Sequence, residues 1–145
     1  MGTAVIIGAG EGLSASLARK LADRGHRLVL AARNPDKLSE LANQTGAETI
    51  ACNAQDAADM DRVFELADSD GSNLDIAIYN PSARVRGPIT ELDPDAVKDA
   101  VLTTAFGAFL MAQQAARRML PHAKGAILFT GASAGVKGYP NSSSF

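Results

Sequence analysis

The chain has 145 residues, 46% of them hydrophobic and 21% charged, with a formal net charge of −2. Such a length suits one domain spanning residues 1–145 that buries roughly 70% of the surface its unfolded chain would expose. The composition excludes a disordered chain and a surface built to bind a nucleic-acid backbone, and the single cysteine, Cys52, excludes an intramolecular disulfide or a thiolate metal cluster.

The stretch Val5-Ile6-Ile7-Gly8-Ala9-Gly10-Glu11-Gly12-Leu13-Ser14 reads as strand, tight loop and helix, with Leu13, Leu17 and Leu21 at helical spacing. Gly8 can take the torsions of a sharp exit from a buried strand, and Gly10 and Gly12 keep the loop clear of side chains. A helix starting near Gly12 points unpaired N–H groups and a positive dipole end above the loop, which suits a phosphate or pyrophosphate. The expected ligand is therefore a dinucleotide. The GxGxxG fingerprint is matched only at Gly8 and Gly10, because Leu13 stands at its third glycine, and no Lys-Ser/Thr pair follows to make a P-loop. Glycine-rich turns after strands also occur without ligands.

Arg24-Gly25-His26 closes the first helix, and Leu28 to Ala32 forms a second apolar strand. In a dinucleotide fold the end of this strand lies near the adenosine ribose, where an acid accepts from the 2′-OH of NAD and an Arg pairs with the 2′-phosphate of NADP. Ala32 stands at the acid's place and Arg33 follows, which favours NADP(H) over NAD(H); the bland alternative is a solvated Arg at a strand end. Asn34-Pro35-Asp36 starts a second helix with Leu38, Leu41, Ala42 and Thr45 inward.

Glu48 to Cys52 is a third strand ending at Asn53, followed by a helix with Met60, Val63, Phe64 and Ala67 on its apolar face. Leu74 to Tyr79 is a fourth strand, leading into Tyr79-Asn80-Pro81-Ser82. Asp93-Pro94 starts a long helix expected to reach Leu120, with Val97, Val101, Ala105, Ala108, Ala112, Ala115 and Met119 along its inward face. Its middle, with Leu102, Phe106, Phe109, Leu110 and Met111, is apolar on nearly every side, so its outer surface is expected to meet another chain. Gly125 to Thr130 is the fifth strand, expected as a bare edge open to pairing. Short continuous apolar strands alternating with amphipathic helices predict an α/β fold: a Rossmann-like, doubly wound parallel sheet ordered 3-2-1-4-5, with helices on both faces.

The looser spacing of Gly8, Gly12 and Ser14 resembles the TGxxxGxG loop of the short-chain dehydrogenase/reductase family, with Ile7 and Ser14 departing from it. The resemblance continues through Asn80, which matches the family's NNAG segment, the Gly87 to Pro94 stretch, and GASAG at Gly131 to Gly135. It implies an oxidoreductase acting on a carbonyl or alcohol, with Gly8, Gly10, Glu11, Gly12, Leu13, Arg33, Asn53, Asn80 and Pro81 as cofactor-binding residues. Glu11 opposes NADP(H), because family members that prefer NADP often carry a basic residue there. Asn53 falls where an Asp often contacts the adenine.

The same resemblance implies a poor catalytic set. Thr104 falls at the position of the helix Asn, Ala132 at that of the Ser and Phe145 at that of the Tyr proton donor; the Lys position, catalytic helix and substrate loop lie beyond the last residue. Tyr139 does not restore the motif, since Ser143 stands four residues after it. Ser133 and the Ser142-Ser143-Ser144 run are expected as loop solvation. The catalytic residues stay unassigned, and a non-catalytic cofactor-binding or scaffold protein of the same fold is the alternative. The family also implies a homo-oligomer through the helix over residues 94–120; an intrachain cover from further sequence is the competing expectation for its outer surface. No metal, membrane or nucleic-acid partner is expected: His26 and His122 lack ligand spacing, no apolar run is long enough for a bilayer, and the N-terminus lacks signal-peptide features. Ile6 also spoils a myristoylation motif at Met1-Gly2, so a cytoplasmic location is expected.

Overall fold

The computed structural model describes residues 1–144. Strands β1 (Thr3–Ile7), β2 (Arg27–Ala32), β3 (Glu48–Ala51), β4 (Leu74–Tyr79) and β5 (Ala126–Phe129) form one sheet in the order β3-β2-β1-β4-β5, with every pairing parallel. β1 lies at the centre, and all of its residues are buried. Side chains alternate across the sheet, so Val5 and Ile7 join one core while Ala4 and Ile6 join the other. A strand buried on both faces needs apolar residues at every position, which is why the strands read as continuous runs.

Helices α1 (Leu13–Asp23) and α2 (Ser39–Thr45) cover one face, and α3 (Ala57–Asp68) and α5 (Gly107–Met119) cover the other. α1 packs through the small residues Ala15 and Ala18 and through Leu21, while Leu13 is 54% exposed. The leucine spacing thus locates the helix but only partly its buried face. A 3-10 turn over Pro35–Leu38 precedes α2, with the Asn34 side chain accepting from the Asp36 N–H at 3.2 Å. α3 buries Met60, Val63, Phe64 and Ala67 as the periodicity predicts, and Asp56 caps it by accepting from the Ala58 and Asp59 N–H groups at 2.8 and 3.1 Å.

The long helix differs from expectation. α4 (Pro94–Val101), capped by Asp93, is joined to α5 by a π turn at Leu102–Phe106, and a 3-10 turn at Leu120–His122 ends the run. The extra residue rotates the following face by about 100°. The buried side is therefore Ala100, Gly107, Leu110, Met111, Ala115 and Met119, whereas Val101 and Ala105, expected inward, are exposed. Leu110 and Met111 belong to the core rather than to an outer surface. The π turn has a tertiary cause: the buried Tyr79 hydroxyl donates to the Thr103 carbonyl inside it, and burial pushes the Tyr79 phenol above its ordinary range, with Cys52 adding to the shift. Gly107 lets the helix approach this closely. A Cβ there would overlap the Tyr79 hydroxyl and meet the Ala54 carbonyl oxygen at 2.6 Å.

What remains outward is Val101, Phe106 and Phe109, with the two rings stacked at 6.3 Å. β5 pairs with β4 and with no other strand among the described residues. No helix among them is long and apolar enough to cross a membrane. At the amino end of the sheet, the Asp75 carboxylate accepts from the Gly2 N–H at 2.8 Å and faces Lys124 at 3.3 Å and His26 at 3.8 Å. The Gly2 hydrogen bond first, then the Lys124 ammonium, holds its carboxyl below the usual range.

Gly107→Ala is expected to destabilise the fold by about 1–3 kcal/mol, because neither the Ala54 backbone nor the Tyr79 ring can move freely; the shift of the urea midpoint measures it, and an unchanged midpoint contradicts the close approach. Asp75 has a folded pKa below its unfolded value, so its stabilisation is complete above about pH 4 and is lost as the pH falls through the folded pKa. Stability measured from pH 7 down to pH 2 is expected to fall less steeply in Asp75→Asn than in the wild type.

Candidate functional site

The carboxyl ends of β1, β2 and β4 bring most of the predicted cofactor residues to one side of the sheet. Gly8, just after β1, has φ 73°, and a Cβ on it would lie 2.6 Å from the Pro81 ring. Both the turn and the close approach of the loop after β4 require glycine. The chain then crosses Gly10 to Gly12 and enters α1, whose N-cap Gly12 (φ 82°) makes no side-chain cap. The buried Ser14 braces the loop, its hydroxyl lying 3.0 Å from both the N–H and the carbonyl of Gly10. A Cβ built on Gly10 or Gly12 meets nothing within 4 Å, so the space above the helix start is open. Glu11 and Leu13 are exposed at its rim.

Asn80 ties three strands together. Its N–H donates to the Ile7 carbonyl at 3.0 Å, its side-chain amide donates to the Gly8 carbonyl at 3.3 Å, and its side-chain oxygen accepts from the Thr130 hydroxyl at 2.8 Å. Arg33 is exposed just beyond β2 and has no hydrogen bond or ion pair among the described residues. Asn53 is exposed beyond β3; its N–H donates to the Asp59 carboxylate at 2.7 Å, which lowers the Asp59 pKa, and its side-chain oxygen accepts from the Gln55 N–H at 3.2 Å. The neighbouring Cys52 is buried, and burial first, then Asp59, pushes its thiol up to about 11. It stays protonated and inert at neutral pH.

The residues at the resemblance's catalytic positions do not form a proton-donor set. The Thr104 hydroxyl accepts from the Ala83 N–H at 3.4 Å, Ala132 has no polar side chain, and Phe145 lies outside the described residues. Ser133 is 2.7 Å from the Tyr139 hydroxyl, a pairing the sequence spacing does not announce. The serine run also differs from the solvated loop expected. The Ser144 hydroxyl donates to the Val85 carbonyl at 2.7 Å and accepts from its N–H at 3.1 Å, and Gly87 bridges to Ser142. These serines strap the segment after β5 to the segment after β4. Thr130 and the Ser144 strap were missed because their partners stand 50 and 59 residues away in sequence.

The model of the short chain dehydrogenase family matches residues 2–145. An uncharacterized oxidoreductase of Staphylococcus aureus is 29% identical over 128 residues, covering 86% of this chain and 55% of that protein. Short chain aldehyde dehydrogenase 1 of Euphorbia lathyris is 29% identical over 148 residues, covering 98% of this chain and 51% of that protein. The chain thus spans about half the length of these curated relatives. Among solved structures, a short-chain dehydrogenase from Rhodopseudomonas palustris superposes with a TM-score of 0.91 at 28% identity, covering 99% of this chain and 70% of that one. A metagenomic short-chain oxidoreductase in complex with NADP has a TM-score of 0.92 at 23% identity, covering 99% and 67%, a likeness of fold. With the glycine loop after β1, the Asn80 tie and the 3-2-1-4-5 sheet in place, a family match over nearly every residue identifies the chain as a member of the short-chain dehydrogenase family.

Proposed function

We propose that this chain binds NADP(H) at the carboxyl ends of its strands and serves, in the cytoplasm, an oxidoreductase acting on a carbonyl or alcohol substrate. The observation that carries this reading is the start of α1. It has no side-chain cap, no acidic residue in its first turn, and open space above Gly10 and Gly12. Its free N–H groups and positive dipole end suit a pyrophosphate. Gly8 and Pro81 form the floor beside it, Glu11 and Leu13 the rim, Asn80 the tie that holds the floor, and Asn53 the polar end for the adenine. We assign the 2′-phosphate to Arg33, which has no ion-pair partner among the described residues, and Ala32 offers no carboxylate to a 2′-OH. The metagenomic oxidoreductase of the same fold is bound to NADP, in keeping with a nicotinamide dinucleotide as the ligand. When bound, the nicotinamide carries the hydride; the residues named here bind and orient it.

A second reading, a non-catalytic cofactor-binding or scaffold protein, is favoured by one observation. Ala132 and Thr104 stand where the family places its Ser and Asn, and the Thr104 hydroxyl already serves the Ala83 N–H. Reduction of any carbonyl substrate by the purified chain would remove this reading.

The outward face of Val101, Phe106 and Phe109 is the part of the helical run over residues 94–120 that we assign to a homo-oligomer. Each of the three is between 43% and 55% exposed, more apolar surface than a solvated helix needs.

Calorimetric titration is expected to give NADPH an affinity at least about ten-fold above that of NADH, with Arg33→Gln removing most of that difference, as the loss of one charge-assisted pair would. Equal affinities contradict the Arg33 assignment, and no binding of either by the folded chain contradicts the cofactor reading. In sedimentation the wild type is expected as a dimer or larger and Phe106→Ser/Phe109→Ser as a monomer; a monomeric wild type overturns the interface.

A further inference from the structure

Between the segments that follow β4 and β5 lies a cleft of about 470 Å³, lined on one side by Arg84, Val85 and Arg86 and on the other by Ser133, Tyr139 and Pro140. The segment from Ala83 to Gly87 is pinned through alternate residues. Val85 is held at both its N–H and its carbonyl by Ser144, the Ala83 N–H donates to Thr104, and the Gly87 N–H donates to the Asn141 carbonyl at 3.1 Å. In such an extended stretch the even-numbered side chains share the opposite side. Arg84 and Arg86 are accordingly exposed and both line the cleft, while Ala83, Val85 and Gly87 are half-buried. Arg86 has no hydrogen bond or ion pair among the described residues.

The facing wall supplies neutral hydrogen-bond donors, with the Ser133 and Tyr139 hydroxyls 2.7 Å apart. Lys137, whose ammonium sits 5.4 Å from the Tyr139 ring centre, lines the adjoining cavity of about 450 Å³. No Asp or Glu lines either cavity among the described residues. In a chain of net charge −2, Arg84, Arg86 and Lys137, three of its fourteen Lys and Arg residues, line these two cavities. Bulk composition does not explain such a concentration. Two guanidinium forks two residues apart match the oxygens of a planar anion, and the Val85 and Pro140 walls leave room for an apolar body beside it.

We infer that this cleft is the substrate subsite and that it selects carbonyl or alcohol substrates bearing a carboxylate, which Arg84 and Arg86 clamp against the Ser133–Tyr139 hydroxyl pair. The inference rests on the oxidoreductase reading for the word substrate and on the cleft alone for the anion. Its location fits the reading: like the glycine loop, the cleft lies outside the carboxyl ends of the parallel strands.

The test uses phenylglyoxylate and its uncharged methyl ester, titrated by calorimetry into the chain alone and into the chain saturated with NADPH. The acid is expected to bind about ten-fold or more tightly than the ester, and Arg86→Gln or Arg84→Gln to lower acid affinity by about ten-fold while leaving the ester unchanged, with Arg86→Lys recovering part of the loss. Equal binding of acid and ester, no binding of either, or acid affinity unchanged in both glutamine variants overturns the inference. Displacement of the acid by NADPH also overturns it, because the cleft then takes the cofactor's own phosphate. The NADPH titration separates the two readings: NADPH binding without acid preference sinks the anion subsite alone, whereas acid preference without NADPH binding sustains the anion subsite and sinks the cofactor reading.

Discussion

The Asn80 side chain, donating to the Gly8 carbonyl at 3.3 Å and accepting from the Thr130 hydroxyl at 2.8 Å, joins the ends of β1, β4 and β5 at one point. An amide is suited to this because it both donates and accepts in a fixed plane. Polar atoms at the end of a buried sheet must be satisfied or they cost about 1–3 kcal/mol each, and here one side chain satisfies a backbone carbonyl and a hydroxyl from two other strands. The loop after β4 is thereby brought down onto the turn after β1. Pro81 then comes so close to Gly8 that no larger residue fits. The glycine loop, the start of α1 and the segment carrying Arg84 and Arg86 all take their positions from this contact.

A second close approach organises the opposite face. Gly107 brings the helical run onto the Tyr79 ring and the Ala54 backbone, and the Tyr79 hydroxyl enters the π turn to reach the Thr103 carbonyl. The added residue redirects the helix, putting Leu110 and Met111 into the core and Val101, Phe106 and Phe109 outside. The core beneath is dense and apolar: Phe64 is fully buried, with the Arg118 guanidinium 5.1 Å over its ring while that side chain also pairs with Asp68. One face of the sheet is thus committed to packing and the carboxyl end to polar, open chemistry. Basic groups gather there in two places, Arg33 beyond β2 and Arg84 with Arg86 beyond β4, while Glu11 at the rim of the glycine loop is the exposed acid between α1 and β1.

Local pattern was enough for the five strands, their parallel order and most helix faces, because buried parallel strands must be continuously apolar and each residue's neighbours along the chain announce that burial. The caps at Asn34 and Asp93 were equally legible, since a cap bonds within three residues of itself. The glycine turn was legible for the same reason, as its backbone torsions are a local demand. Failures of local reading came where a distant partner decided the outcome. Val101 and Ala105 fit a continuous helical stripe, yet Tyr79, more than twenty residues away in sequence, draws in the π turn that turns them outward. The serine run reads as solvent-facing loop, yet Ser144 binds Val85. The sequence by itself therefore determined the doubly wound sheet and the glycine turn after β1, which follow from hydrophobic periodicity and short-range hydrogen bonding. Only the tertiary structure decided the phase of the long helix, the Asn80 tie and the convergence of Arg84, Arg86, Ser133 and Tyr139 on one cleft, because each depends on contacts between segments that the chain order keeps apart.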